Sequence, residues 1–319
     1  MVQRALIAAG LLLATLVSAA AQSWPNKPVR VIVPFTAGSA VDIVARAVME
    51  QVSSQIGQPM VVENRGGAGG TLGVGMVAKG DPDGHTILIH STTHAVTATT
   101  YTNPGYDARK DFAAITALAS VPNVLVTAPG KYKSVKDMIE AGRSKTGSLN
   151  YASAGAGSGA HLNAERLLMA AGIKAQHIPF KGGPEALTEI MSGRVDFYFV
   201  PLPPARGLIA GKKVDALAVS SVKRAAALPD VPTTIEAGYP DSEYNFWVGM
   251  FLPVKTPAAI TTRLHEETLK ALKNPAVVAR LDKVGAEPMP MSPAAFNQFV
   301  QKEIDINAVL VKAAGIEIN

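Results

Sequence analysis

The sequence predicts an α/β protein of two lobes, each a mainly parallel sheet flanked by helices, with a ligand cleft between them. Three observations predict it. β-branched runs alternate with segments of helical periodicity over most of the chain, which is the pattern of a parallel sheet. The alternation breaks around Ser120-Val121-Pro122-Asn123, where two extended runs within Phe112–Val126 follow one another with no helix between them. After the irregular stretch Leu228–Thr233 an extended run, Tyr244–Leu252, leads into three helical segments, so the chain leaves one lobe, builds another and returns. Two such crossings make a hinge. The expected division is residues 22–122 with 228–319 in the first lobe and 123–227 in the second.

The chain has 319 residues, 48% hydrophobic and 17% charged, enough for two sizeable cores. The net charge of +5 comes from scattered lysines and arginines, with no basic tract and no aromatic interleaving, so no nucleic-acid partner is expected. Residues 1–21 read as a secretory signal: Arg4, an apolar run from Ala5 to Val17 too short to span a bilayer, then Ser18-Ala19-Ala20-Ala21 with small residues at the cleavage positions. A periplasmic location is expected. The chain has no cysteine, which excludes disulfides, thiolate chemistry and a lipidated N-terminus.

Taken in order, Lys27–Phe35 is the first strand. Ala40–Gln55 is a helix with Val41, Val44, Ala45, Val48 and Val52 near one face, Ser39 as N-cap and Gly57 as terminator. Pro59–Glu63 is a strand, residues 64–71 a glycine-rich loop, Leu72–Ala78 a helix and His85–His90 the third strand. Beyond the crossing, Ser134–Gly142 reads as a helix and Leu149–Ser153 as a strand. The pattern repeats with Leu162–Ala171, His177–Phe180, Glu185–Met191 and Val195–Val200. Pro201–Pro204 reads as a proline-rich loop and Val214–Ser220 as a strand. The C-terminal helices are expected at Ala258–Lys273, Pro275–Val284 and Pro293–Ala314.

Three strand ends carry loops of one kind: Thr36–Ser39, Ser91–His94 and Ser153–Gly159. Each combines small or hydroxyl residues with a following helix start. In open α/β sheets ligands sit beyond the carboxyl ends of the strands, and the free amides of a helix start attract anions. Loops of this kind facing each other across a cleft would hold a small carboxylate through hydroxyls and backbone N–H groups, without a buried arginine.

Other chemistry fits less well. Gly155-Ala156-Gly157-Ser158-Gly159-Ala160 matches a dinucleotide fingerprint, which leaves an NADP-linked oxidoreductase or an exported hydrolase as the alternative function. However, Phe180-Lys181 stands where an NAD enzyme needs an acid, and the G-x-S-x-G elbow is broken by Ala156. No cofactor is expected. His90 and His94 are four apart across a strand end, with no third ligand in sight; a surface or capping role is expected rather than a metal site. Asp42, in the first helical turn, would repel an anion and reads as a loop-structuring group. Trp247 reads as a packing residue, between the lobes or under the cleft. Tyr198 and Phe199 point to opposite faces of a strand, so at most one can face the cleft.

The residues also carry a family resemblance. Trp24-Pro25-Asn26-Lys27-Pro28-Val29-Arg30, Ile32-Val33-Pro34-Phe35, Gly38 and Asp42-Ile43-Val44-Ala45-Arg46 resemble the start of the Bug-type substrate-binding proteins of tripartite tricarboxylate transporters. Residues 62–70, 81–88, 150–155, 161–162, 179–182 and 229–233 continue the match down the chain. The resemblance implies a two-lobe type II periplasmic-binding-protein fold, no catalysis, and capture of a small carboxylate, a dicarboxylate or aromatic acid. It implies delivery to membrane transporter subunits, or signalling to a sensor domain, by a monomer. Carried over, it points to Thr36, Ala37, Gly38, Ser39 and Asp42, to Ser91 and Thr92, and to Ser153, Gly155 and Ser158 as ligand contacts. Two departures stand out: the first loop is Thr36-Ala37-Gly38-Ser39 where family members usually read Pro-Pro-Gly-Gly, and Val200 stands where many carry an acid.

Overall fold

The computed structural model describes residues 24–144 and 149–316; the predicted signal segment lies outside the described residues. The first sheet contains β1 (Val29–Val33), β2 (Met60–Asn64), β3 (Thr86–Ser91), β4 (Phe112–Val121), β10 (Phe246–Pro253) and β11 (Glu287–Pro288), in the order β11-β4-β10-β3-β1-β2. The second contains β5 (Asn123–Thr127), β6 (Asn150–Ser153), β7 (Gln176–Pro179), β8 (Phe197–Pro201) and β9 (Asp215–Val219), in the order β7-β6-β8-β5-β9.

Each sheet is sandwiched between helices. In the first lobe α1 (Ala40–Ile56), α8 (Ala258–Lys273) and α9 (Pro275–Lys283) cover one face, while α2 (Thr71–Ala78), α3 (Thr93–Thr100) and α10 (Pro293–Ala314) cover the other. In the second, α6 (Gly183–Met191) and α7 (Leu202–Ala210) cover one face, α4 (Val135–Ser144) and α5 (Gly159–Ala171) the other. The strands are apolar on both sides because both sides are covered. Val31 and Val33 enter one core and Ile32 the other; Tyr198 and Val200 face α6 and α7 while Phe197 and Phe199 face α4 and α5.

The strand directions are mainly parallel, with one long exception in each sheet. β10 runs antiparallel to β3 and β4, and β5 runs antiparallel to β8 and β9. The reason is geometric. Apart from the two-residue β11, which is antiparallel to β4, the other strands point their carboxyl ends at the cleft, so a strand that brings the chain across the cleft starts there and runs away from it. The first crossing is Pro122, between β4 and β5. After β9 the chain stays against the second sheet for longer than its composition suggests: Thr233 bridges Val219, Ala237 and Tyr239 pack on the second core, and Tyr244 N–H donates to Ser220 O at 2.7 Å.

Local signals set the helix ends. Ser39 caps α1 through Asp42 N–H, and Gly57 ends it at φ 70°. The C-terminal helices Ala258–Lys273 and Pro293–Ala314 coincide with the ranges their patterns predict. Three expectations need correction. The proline-rich segment after β8 is a helix start, not a loop: proline costs nothing in a first turn, where its missing N–H has no partner to lose. His90 and His94 are fully buried rather than superficial or capping; His94 stacks on Phe251 at 4.4 Å and edges onto Phe112. Trp247 packs, but within the first lobe beneath α10, against Phe296 and Phe299. Among the described residues no helix is long and apolar enough to cross a membrane.

Candidate functional site

The strand ends of both sheets meet at a cavity of about 40 Å³ whose wall includes the starts of five helices. From the first lobe come Ser39, Ala40 and Val41 of α1 and Thr93 of α3, with Ser91 at the end of β3. From the second come Ser158 and Ala160 of α5, Gly183 of α6, and Pro201 and Pro204 of α7. Each helix start carries partial positive charge from its unpaired amides. Phe35, Tyr198 and Phe246 supply apolar surface, and no lysine, arginine or carboxylate lines the wall. The arrangement suits an anion recognised by amides and hydroxyls on one side and carrying an apolar or neutral body on the other.

The lobes touch directly around this cavity. Gly159 N–H donates to Thr93 Oγ1 at 3.0 Å, and the Tyr101 hydroxyl donates to Ala156 O at 3.1 Å. Gly182 abuts Thr36 so closely that a Cβ there would sit 2.0 Å from Thr36 Oγ1. The cavity is small beside the roughly 300 Å³ and upward of small-molecule sites, so a ligand of several carbons requires the lobes to part slightly.

The predicted residues fall into different places. Ser39, Ser91 and Ser158 are on the cavity wall. Ser39 and Ser158 are also the N-caps of α1 and α5, accepting from Asp42 N–H at 3.4 Å and His161 N–H at 3.3 Å. Thr36 faces Gly182 across the lobes and its buried hydroxyl has no partner. Ala37 and Gly38 are exposed on the loop, off the wall. Asp42 is buried behind it, where it accepts from Gly38 N–H at 2.9 Å, Arg46 Nε at 2.9 Å and Asn64 Nδ2 at 3.0 Å. It structures the loop, as its place in the first turn suggests. Thr92 is buried beside Tyr244 and Gly159. Ser153 turns away from the cavity to His177 Nε2 at 2.6 Å and to both backbone groups of Gly155. Gly155, at φ 120°, lies against Gly69 of the first lobe.

Sequence reasoning did not select Phe35, Thr93, Tyr198, Pro201, Pro204 and Phe246. The β8 alternation limits the cleft to one of Tyr198 and Phe199, and it is Tyr198 that reaches it; burial pushes its phenol well above the ordinary range. Thr93 lies within the Ser91–His94 loop that the sequence singles out; the other lining residues carry no local signature.

A second, larger hollow of about 420 Å³ lies at the hinge, between Pro122, Lys223, Asn245 and Glu287. No helix start lines it, so it lacks what makes the first cavity an anion site. Among the described residues no group of three or more histidines, aspartates or glutamates is placed to hold a metal.

The chain is similar to known proteins along nearly its whole length. The family model described as "tripartite tricarboxylate transporter family receptor" matches residues 44–316. A UPF0065 protein of Pseudomonas sp. strain P51 is 36% identical over 285 residues, covering 89% of this chain and 85% of the relative. The solved periplasmic binding protein BugD is 34% identical with a TM-score of 0.87, covering 92% of this chain and 99% of BugD. A Rhodopseudomonas palustris protein with adipate is 33% identical with a TM-score of 0.88, over 92% and 99% of the two chains. MatC from the same organism, with bound malate, is 32% identical with a TM-score of 0.86, over 90% and 100%. BugD is a periplasmic binding protein, and the family is described as one of transporter receptors. The two-lobed architecture, the whole-length similarity and the family match agree: the chain belongs to the tripartite tricarboxylate transporter receptor family, the TctC or Bug-type solute-binding proteins.

Proposed function

We propose that this chain is a periplasmic receptor that captures a small carboxylate in the interlobe cavity and presents it, in the closed form, to the membrane subunits of a tripartite transporter. The observation that carries this reading is the convergence of helix starts from both lobes on a wall with no charged side chain. Their amides, with the hydroxyls of Ser39, Ser91 and Ser158, favour a carboxylate in a dry site, where such bonds are strongest. Because contacts come from both lobes, the ligand stabilises closure by its differential affinity for the closed form. The adipate and malate bound by two relatives support a dicarboxylate as the ligand. The apolar Phe35, Tyr198 and Phe246 suit an aromatic or alkyl acid equally. In this reading the first lobe comprises, among the described residues, 24–121 together with 246–316, the second lies within 123–244, residues 1–21 are removed on export, and the receptor acts as a monomer.

A thermal-shift screen of the chain from Gln22 onward, against mono-, di- and tricarboxylates and NADP, tests the reading. A ligand at 100 times its dissociation constant stabilises by about 2.7 kcal/mol. A shift with one carboxylate class supports the receptor and identifies the ligand class. A shift with NADP alone overturns it.

A further inference from the structure

The loop that carries Ser158 to the cavity is held from behind by two imidazoles. His161 is the third residue of α5. Its backbone N–H donates to Ser158 Oγ, and its ring Nδ1 accepts from Gly157 N–H at 3.1 Å. This resembles the reciprocal bonding of a capping box, with an imidazole where glutamate or glutamine usually stands and the donor one residue further back. His177 of β7 lies flat on His161, with ring centroids 3.9 Å apart and planes inclined by 12°. Its Nε2 meets Ser153 Oγ at 2.6 Å. Tyr151 of β6 packs beside the pair, 4.9 Å from His177 and 6.0 Å from His161. The two stacked imidazoles thus grip both ends of the loop. Between those ends Gly155 and Gly157 stand at φ 120° and 68°, conformations that leave the loop unusually free without such a grip.

A ring nitrogen that accepts a hydrogen bond carries no proton. The Gly157 contact therefore requires neutral His161 with its proton on Nε2. Protonation puts an N–H on Nδ1, opposite the Gly157 N–H, and places positive charge against the face of His177.

We infer that His161 is a positioning residue of the binding site, and that the neutral His161–His177 stack makes the second-lobe half of that site acid-sensitive. On acidification the loop loses its acceptor and releases Ser158 and the α5 amides from their closed-cleft positions. Tyr151 on β6 faces the stack; Glu165, one turn further along α5, reaches it only through the Tyr151 hydroxyl, and Lys174 after α5 acts on Glu165. The Glu165 carboxylate is bonded to the Tyr151 hydroxyl. Burial pulls His161 down to about 4; burial and the neighbouring His161 pull His177 down to about 3. Burial pushes Glu165 up, so it also takes a proton on acidification and needs its own control.

The consequence for ligand affinity rests on the receptor reading, but the inference about the loop is tested without a ligand. Amide-exchange protection of Gly157, corrected for intrinsic rates, is measured by NMR on the chain from Gln22 onward at pH 7 and pH 4. Wild type is expected to lose protection about threefold on going to pH 4, because His161, held at about 4, is half protonated there and one lost hydrogen bond is worth about fivefold. His161→Gln, which keeps an acceptor and does not titrate, is expected to stay protected at both pH values. His161→Phe, which keeps a flat ring without an acceptor, is expected to be unprotected at both, and Glu165→Gln is expected to behave as wild type. Equal protection at the two pH values in wild type, or wild-type protection in His161→Phe, overturns the inference. Should His161→Phe not fold, the ¹⁵N shift of His161 Nδ1 in wild type decides: a protonated Nδ1 at pH 7 overturns it. Failure of the carboxylate screen leaves this result standing, and the reverse holds too.

Discussion

Gly155 and Gly69 meet tightly across the two lobes: a Cβ on Gly155 would stand 3.2 Å from the Cα of Gly69, closer than side-chain carbons ordinarily come without a shift of the neighbour. The reverse contact is tighter, since a Cβ on Gly69 would lie 2.5 Å from Ala156 O and 2.8 Å from the Tyr101 hydroxyl. Both glycines have positive φ, at 120° and 62°, so both need the backbone freedom as well as the space. The closed form depends on this bare contact.

Gly69→Ala and Gly155→Ala are therefore expected to hold the lobes apart while leaving each lobe folded. The carboxylate found in the screen should bind each variant at least roughly tenfold more weakly, a loss of about 1.4 kcal/mol. Calorimetric titration reads the affinity and small-angle scattering reads the closure. Wild-type affinity in both variants would show that ligand binding does not need this contact.

Ser39 and Ser158 act twice, as helix caps and on the cavity wall. Replacing either by alanine removes a cap, which costs about 1 kcal/mol of stability, and a hydrogen-bond donor to the ligand, which costs about 1 kcal/mol or more of binding. Glycine separates the two effects, because it caps almost as well as serine. Ser39→Gly and Ser158→Gly should keep most of the thermal stability and still lose affinity. Unchanged affinity in both glycine variants would remove these hydroxyls from the site.

Asp42 supports the first loop without reaching the cavity wall. Its carboxylate takes three donors, from Gly38, Arg46 and Asn64. Asp42→Ala leaves the Gly38 amide and the Asn64 side chain without that acceptor and should destabilise the protein by about 2 kcal/mol. Asp42→Asn, which retains one acceptor oxygen, should cost less. Urea denaturation of the two variants provides the comparison.

Four histidines, three buried and His177 half-buried, link stability to pH. Burial holds His90 well below its ordinary value, His94 and His161 at about 4, and His177 at about 3. In the unfolded chain each titrates near 6.5. Below that value the unfolded state binds protons that the folded state refuses, so stability falls with decreasing pH. The loss runs from about pH 6.5 down to the folded values and then levels off; above about 6.5 these groups add no slope. For His94 alone the full effect is roughly 3 kcal/mol at most. Urea midpoints at pH 7, 5.5 and 4 should decline steadily, and a flat profile would contradict the burial of these rings as neutral groups.

Much of this protein is readable along the chain because it depends on neighbours in sequence. Ser39, Ser134, Ser158 and Ser292 stand before apolar-periodic runs, and each accepts a backbone N–H from the first turn that follows. The apolar alternation in β1, β3, β5 and β8 divides residues between two cores in each lobe. The break at Pro122 marks the crossing, because no helix intervenes between β4 and β5. What only the tertiary structure decided lies at contacts between distant segments. That Ser153 turns to His177 rather than to the cavity, that Thr233 stays beside Val219, and that Tyr198, Pro204 and Phe246 join Ser39 on one wall all depend on how sheets, lobes and rings pack. Caps and periodicity are set within a few residues by hydrogen bonding and side-chain spacing. The wall of the cleft is set by the closure of two separately folded lobes, and no local pattern encodes which of their residues will face each other.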